Sequence, residues 1–149
     1  MDIIKIFDYD LEKKIRGMGE IRRIICYAQL KNQKNDGFLN FIFDTGAHTS
    51  LIPKDWWKGT EIDILGKHKL QGLISRKKCE LSVQIGKVPI KLVDKLGNET
   101  PYFPIKVYLA NINRVPLLLG LRDLPKGVTI NLELSKNNCY LEFPDKSYK

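Results

Sequence analysis

Apolar residues fall in many short runs along the chain, and polar turn residues separate these runs. Runs rich in β-branched and aromatic residues lie at 3–7, 21–30, 38–43, 61–74, 79–93, 103–110 and 115–120. The segment LSVQIG, at 81–86, alternates apolar and polar positions with a period of two, which is typical of a half-buried strand. The pattern therefore predicts many strands and little helix.

The residues between the runs favour tight turns. Asn35-Asp36-Gly37 is typical of a β-hairpin, because Asn and Gly adopt positive φ at low cost. The segment PKDWW, at 53–57, predicts a short helical turn that begins at proline, and its two tryptophans are predicted to pack. VTINLEL and CYLEF flank 136–138 and predict a C-terminal hairpin. We predict an all-β fold, closed or sandwiched in the Greek-key manner.

Length and composition narrow the class of protein. The chain has 149 residues, which fits one domain. Its three cysteines are scattered and its start carries acidic residues, so we expect reduced thiols, no secretory signal and a cytoplasmic location. The longest apolar run, 115–121, is too short to span a bilayer, so no membrane is expected. With only two histidines and no clustered ligands, no metal site is predicted.

The formal net charge of +8 allows an acidic partner such as nucleic acid. However, the basic residues are spread along the chain, and the densest groups are only Arg22-Arg23 and Arg76-Lys77-Lys78. No nucleic-acid-binding signature and few aromatic residues accompany them in the sequence. We therefore interpret the charge mainly as a solubility feature, and a nucleic-acid-binding β-barrel ranks last among the functions considered.

The segment with the most chemical content is the end of the run 38–43, which leads directly into Asp44-Thr45-Gly46. A carboxylate after an apolar strand lies near low-dielectric walls, where its charge is costly. Gly46 allows a sharp turn and a close approach of another segment, and the Thr45 hydroxyl can hold the loop. The alternative interpretation is an ordinary turn or an Asx cap.

Two motifs in order resemble the retropepsin-like, single-domain aspartic proteases. The first is Ile42-Phe43-Asp44-Thr45-Gly46-Ala47 with Leu51-Ile52-Pro53 after it, and the second is Val115-Pro116-Leu117-Leu118-Leu119-Gly120 with Leu121-Arg122-Asp123-Leu124 after it. They bracket 38–124, well over half of the chain. The resemblance implies a small closed β-barrel with one or two short helices. It also implies one domain over 1–149, with a core at about 20–143 and an N-terminal extension at 1–19.

The resemblance implies an aspartic endopeptidase that needs no cofactor. Its catalytic residues would be Asp44, Thr45 and Gly46, and its substrate would be a peptide or protein. The mechanism needs two carboxylates that share one proton. No second Asp of this chain is followed by Thr-Gly or Ser-Gly, so the site is predicted to form between two copies of Asp44 in a homodimer. The alternative is a binding or dimerisation module that keeps this fold without proteolysis.

The resemblance also assigns substrate contacts to Ala47, His48 and a flap within 67–80, with Gly72 near its turn; the alternative for the flap is an ordinary exposed hairpin. This chain departs from the family at two places. His48 stands where an anion usually pairs with an arginine, and Leu121 separates Gly120 from Arg122. Asp123 is therefore expected to pair with Arg122 or another neighbour. His48 either lines the site or is satisfied elsewhere on the surface. The last two strands either join an intersubunit sheet or close their own sheet.

Overall fold

The computed structural model describes residues 2–15, 19–34, 37–44, 46–70, 80–133 and 138–144. Nearly all of its regular structure is strand, so the all-β prediction is confirmed. The strands are β1 (Asp2–Ile15), β2 (Gly19–Leu30), β3 (Leu39–Asp44), β4 (Ser50–Ile52), β5 (Asp63–Leu70), β6 (Leu81–Val93), β7 (Phe103–Ala110), β8 (Leu118–Gly120), β9 (Thr129–Glu133) and β10 (Asn138–Phe143). Helix α1 (Lys54–Trp57) and a 3-10 turn (Leu121–Asp123) complete the described elements.

Six of the strands pair in a ring. The order runs β6, β7, β4, β8, β3 and β2, and an antiparallel pairing of β2 with β6 closes it. Two neighbouring pairs in the ring, β3 with β8 and β4 with β7, are parallel, whereas β4 with β8 is antiparallel. The short strands β4 and β8 therefore lie next to each other in the middle of the sheet, where their loops can meet.

The main core joins residues of the ring strands to residues of β1 and β10, and it follows from the period-two pattern of the strands. In β3, Leu39, Phe41 and Phe43 are buried while the residues between them are partly or fully exposed. In β7, Phe103 and Ile105 point inward in the same way. Because successive side chains of a strand point to opposite faces, β3 and β7 each contribute an apolar row to the interior. This packing holds the strand ends that carry the candidate site.

Several predicted elements are confirmed and others are displaced. The strand predicted at 103–110 is β7, and the helical turn predicted at 53–57 contains α1. Trp56 and Trp57 pack against the core as predicted, and the Trp57 indole Nε1 donates to the Ala110 carbonyl at 2.8 Å. Of the run predicted at 115–120, only Leu118–Gly120 is strand. β5 and β6 form the arms of a hairpin whose connection, 71–79, lies outside the described residues.

The predicted C-terminal hairpin is confirmed, since β9 and β10 pair antiparallel. β10 also pairs with β1, with Ile4 opposite Leu141. The segment 1–19, predicted as an N-terminal extension, thus contributes β1, which pairs with both β10 and β2. Of the two alternatives for the last strands, pairing within their own chain is the arrangement present in this single subunit. No helix in the described part of the chain is long and apolar enough to cross a membrane.

Candidate active site

The two sequence motifs meet at the ends of two adjacent parallel strands. β3 ends at Asp44 and β8 ends at Gly120, and these two residues are direct register partners. Phe43 is opposite Leu119 one step earlier, and both are buried. The apolar residues of the two motifs therefore anchor the strands in the core. Their polar and glycine ends emerge together at one edge.

Hydrogen bonds hold the loop after Asp44 to Asp44 itself and to the segment after β8. The Gly46 N–H donates to Asp44 Oδ1 at 2.9 Å, and the Ala47 N–H donates to the Asp44 carbonyl at 3.2 Å. The Leu121 N–H then donates to the Ala47 carbonyl at 3.1 Å, which ties the loop to the segment after β8. Asp44 is half-buried, so part of its side chain faces solvent. The predicted catalytic residue Thr45 lies outside the described residues.

Gly120 permits an unusually close crossing of two backbone segments. A Cβ atom at this position would lie 2.8 Å from the backbone carbon and oxygen of His48 and from the backbone carbon of Thr49. Such contacts are shorter than real Cβ atoms tolerate. The glycine is thus required because the loop after Asp44 packs directly on the backbone of β8.

A buried polar pair lies beneath this crossing. Ser50 and Asp123 are both buried, and Asp123 Oδ2 accepts from the Ser50 N–H at 3.0 Å and from the Ser50 hydroxyl at 2.5 Å. The same hydroxyl accepts from the Gly120 N–H at 3.0 Å. The expected pairing of Asp123 is therefore found with Ser50, a residue that the sequence analysis did not single out. The available sign was a lone small polar residue directly before the apolar pair Leu51-Ile52.

The Asp123 carboxyl is shifted toward its neutral form. Burial raises its pKa above the ordinary value of 3.8, and the hydrogen bonds from Ser50 and the charge of Arg122 offset only part of this rise. A buried carboxyl titrates higher because the low-dielectric interior disfavours its charged form. The folded state consequently binds this proton more tightly than the unfolded chain does.

This shift predicts a pH-dependent stability difference between wild type and Asp123→Asn. A raised folded-state pKa contributes stability at low pH, which is lost as the pH rises through that pKa. We expect the unfolding free energy of wild type minus that of Asp123→Asn to decrease as the pH rises above 3.8. Urea unfolding at a series of pH values measures this difference in unfolding free energy. The control is Asp55→Asn, the same substitution at an exposed position. A difference that grows with pH would contradict the assignment.

An open pocket of about 260 Å³ adjoins the loop. Its lining combines loop residues with apolar side chains from the neighbouring strands: Ala47, His48, Thr49, Leu51, Leu70, Tyr108 and Leu118. His68 stacks on Tyr108, with ring centroids 5.7 Å apart and an interplanar angle of 12°. His48 is exposed and is one of the residues that line this pocket. The pocket can accept an apolar side chain next to the Asp44 loop.

The proposed flap turn, including Gly72, falls within 71–79 and lies outside the described residues.

Cys26 and Cys139 are buried, and burial raises the pKa of the Cys26 thiol to about 12. Because the thiolate is the nucleophilic form, Cys26 is a poor candidate for catalysis.

In the described ranges, no group of three His, Cys, Asp or Glu residues is arranged to hold a metal ion. Comparison of the chain with protein-family models, with curated proteins and with solved structures finds no match in any of the three.

Proposed function

We propose that this protein is a homodimeric, retropepsin-like aspartic endopeptidase. The observation that carries the proposal is the pairing of Asp44 with Gly120, which unites two distant motifs beside an open pocket. The ring of six strands supports the finer assignment to a small closed barrel of the retropepsin type. The scattered cysteines, two of them buried, support a cytoplasmic location.

The second carboxylate of the catalytic pair is assigned to Asp44 of another copy. Asp123 follows Gly120 closely in the chain, but it is buried and its Oδ2 accepts both donors of Ser50. It therefore lacks the open position that a reacting group needs. Asp44, in contrast, is half-buried at a strand end, where a two-fold axis can bring two copies together.

In the dimer, one Asp44 carboxylate takes a proton from water while the water oxygen attacks the scissile carbonyl carbon. The other Asp44, protonated, donates its proton to the carbonyl oxygen, so a neutral tetrahedral diol forms. When the dimer brings the two Asp44 carboxyl groups together, they cannot both be ionised, so one acts as the acid and the other as the base. The diol then collapses as the amide C–N bond breaks. The first Asp44 gives the proton that it took from water to the leaving nitrogen, and the other Asp44, now a carboxylate, takes a proton from a diol hydroxyl as the carbonyl re-forms. The Gly46 N–H, which donates to Asp44 Oδ1, holds the carboxyl in place.

Substrate binding is assigned to the pocket and to the β5–β6 hairpin. Ala47 and His48 line the pocket from the loop side, while Leu70 lines it from the end of β5. The flap expected from the sequence, with Gly72, lies beyond Leu70 and outside the described residues. A side chain of the peptide substrate would enter the apolar pocket.

The shared site predicts a dominant-negative effect of Asp44→Asn chains. When equal amounts of wild-type and Asp44→Asn chains are mixed under conditions that allow exchange, random pairing leaves about a quarter of the dimers fully wild type. Cleavage of a denatured protein substrate is therefore expected to fall to about a quarter of the all-wild-type rate at equal total protein. Activity is also expected to be blocked by an inhibitor that mimics the tetrahedral intermediate.

The control for mixing is Asp55→Asn, which removes an exposed carboxylate on α1. Mixtures with this variant should keep the full wild-type rate. If the Asp44→Asn mixture instead retains half of the rate, each chain works alone and the shared site is wrong. Wild-type protein with no cleavage at all would favour the binding or dimerisation module.

A further inference from the structure

One outer face of the sheet collects lysines that are distant in sequence. This face, which we call the lysine face, is formed by β2, β6 and β7 together with the turns at their ends. Because Gln29 pairs with Lys91, and Lys87 pairs with Lys106, their side chains share the side of the sheet opposite the core. The lysine face contains Lys31, Lys87, Lys91, Lys95 and Lys106, with Tyr27 and Tyr102 among them.

Aromatic rings lie between these lysines, contrary to the separation suggested by the sequence. Tyr102 is 41% exposed, and the ammonium groups of Lys31 and Lys91 lie 5.9 and 5.4 Å from its ring centroid. The ammonium of Lys95 lies 5.9 Å from the ring of Tyr27. The pairing of β6 with both β2 and β7 brings Lys31, Lys91 and Tyr102 together. A stacking platform flanked by cations is the arrangement that single-stranded nucleic acids bind.

The lysine face also carries a like-charge pair that a polyanion would relieve. Lys87 and Lys106 are both exposed and are direct partners across antiparallel strands. Like charges directly opposite each other destabilise a sheet. Asp63 is the register partner of Lys87 on its other side, and Glu99 pairs with Lys91 at 3.0 Å. Among the described residues, Asp63 and Glu99 thus offset part of the charge of Lys87 and Lys91.

We propose that the lysine face binds single-stranded nucleic acid, with the lysines on the phosphates and a base stacked on Tyr102. The ammonium group of Lys31 sits on an exposed, flexible side chain, so it can turn from the ring toward a flanking phosphate when a base arrives. Lys91, paired with Glu99, stays beside the ring. A partially exposed ring between cations favours a nucleic acid over an acidic protein, because stacking rewards a planar base whereas acidic side chains need only the charges. This binding is independent of Asp44, which lies at the end of β3.

The test is fluorescence anisotropy of a labelled oligouridine of about 12 nucleotides with wild-type protein. We expect binding that weakens with salt. Lys87→Glu with Lys106→Glu is expected to weaken it at least about tenfold and to make its salt dependence shallower. Tyr102→Leu is expected to weaken it about tenfold, and Tyr102→Phe, which keeps the ring, should bind as wild type does.

The matched control reverses two exposed charges outside the lysine face, Arg114→Glu with Lys126→Glu, and should bind as wild type does. Polyglutamate provides the acidic, base-free ligand, and thermal unfolding verifies that each variant is folded. Wild-type protein that binds no oligouridine would overturn the proposal. It would also be overturned if the control loses as much affinity as the lysine-face variant. Equal loss of polyglutamate and oligouridine binding in Tyr102→Leu would identify an unspecific or acidic-protein surface instead.

Discussion

Asp44→Asn is expected to lower peptide hydrolysis by about two to four orders of magnitude, the usual contribution of a general acid or base. The asparagine side chain keeps an oxygen that can accept from the Gly46 N–H, so the loop is expected to retain its shape. What is lost is the group that takes a proton from water. Initial rates of cleavage of a denatured protein substrate, measured with both proteins at equal concentration, check this expectation.

The matched control for this loss is again Asp55→Asn, an equal loss of charge at an exposed position away from the loop. It should cleave at the wild-type rate. Urea unfolding of Asp44→Asn should show a transition close to that of wild type, which separates loss of chemistry from loss of fold. A folded Asp44→Asn protein with undiminished cleavage would remove Asp44 from the mechanism.

The second large effect is expected from Gly120→Ala. The added methyl group would lie 2.8 Å from the backbone of His48 and Thr49, so one of two packed segments must move. Overpacking of this kind lowers the free energy of unfolding by roughly 1–3 kcal/mol. The loss is not easily relieved here, because the contacted atoms belong to the backbone and cannot move aside as a flexible side chain can. Because the displaced loop directly follows Asp44 and is hydrogen-bonded to it, activity should fall further than stability alone explains. Urea unfolding and cleavage rates on the same sample measure both effects.

Gly66→Ala provides the comparison for this substitution. A Cβ atom at Gly66 meets nothing within 4 Å, so the same chemical change is made without a clash. We expect a change in unfolding free energy within about 1 kcal/mol, the size of the glycine-to-alanine effect on the unfolded chain. If the two variants lose equal stability and keep equal activity, the close crossing at Gly120 is not required.

Much of the fold and part of the site could be predicted from local patterns. The alternation in LSVQIG and the apolar run 103–110 predict strands, because such a pattern reflects a single strand with one buried face and is visible in neighbouring residues. The helical turn at 53–57 and the C-terminal hairpin were predicted for the same local reason. The resemblance of Asp44-Thr45-Gly46 and of the apolar run to Gly120 to two retropepsin-like motifs suggested in addition that these two segments work together.

Contacts between distant residues had no local sign. Ser50 meets Asp123 because β4 pairs with β8. The sequence by itself does not show that these two residues are close in space. Likewise, Lys31 and Lys91 reach Tyr102 because β2 and β7 both pair with β6. The sequence alone thus determined most of the strands and the chemical character of the Asp44 loop, because both depend on neighbours along the chain. Only the tertiary structure decided that the buried Asp123 carboxyl accepts hydrogen bonds from Ser50. It also decided which lysines lie beside the ring of Tyr102, because both contacts depend on how distant strands pair.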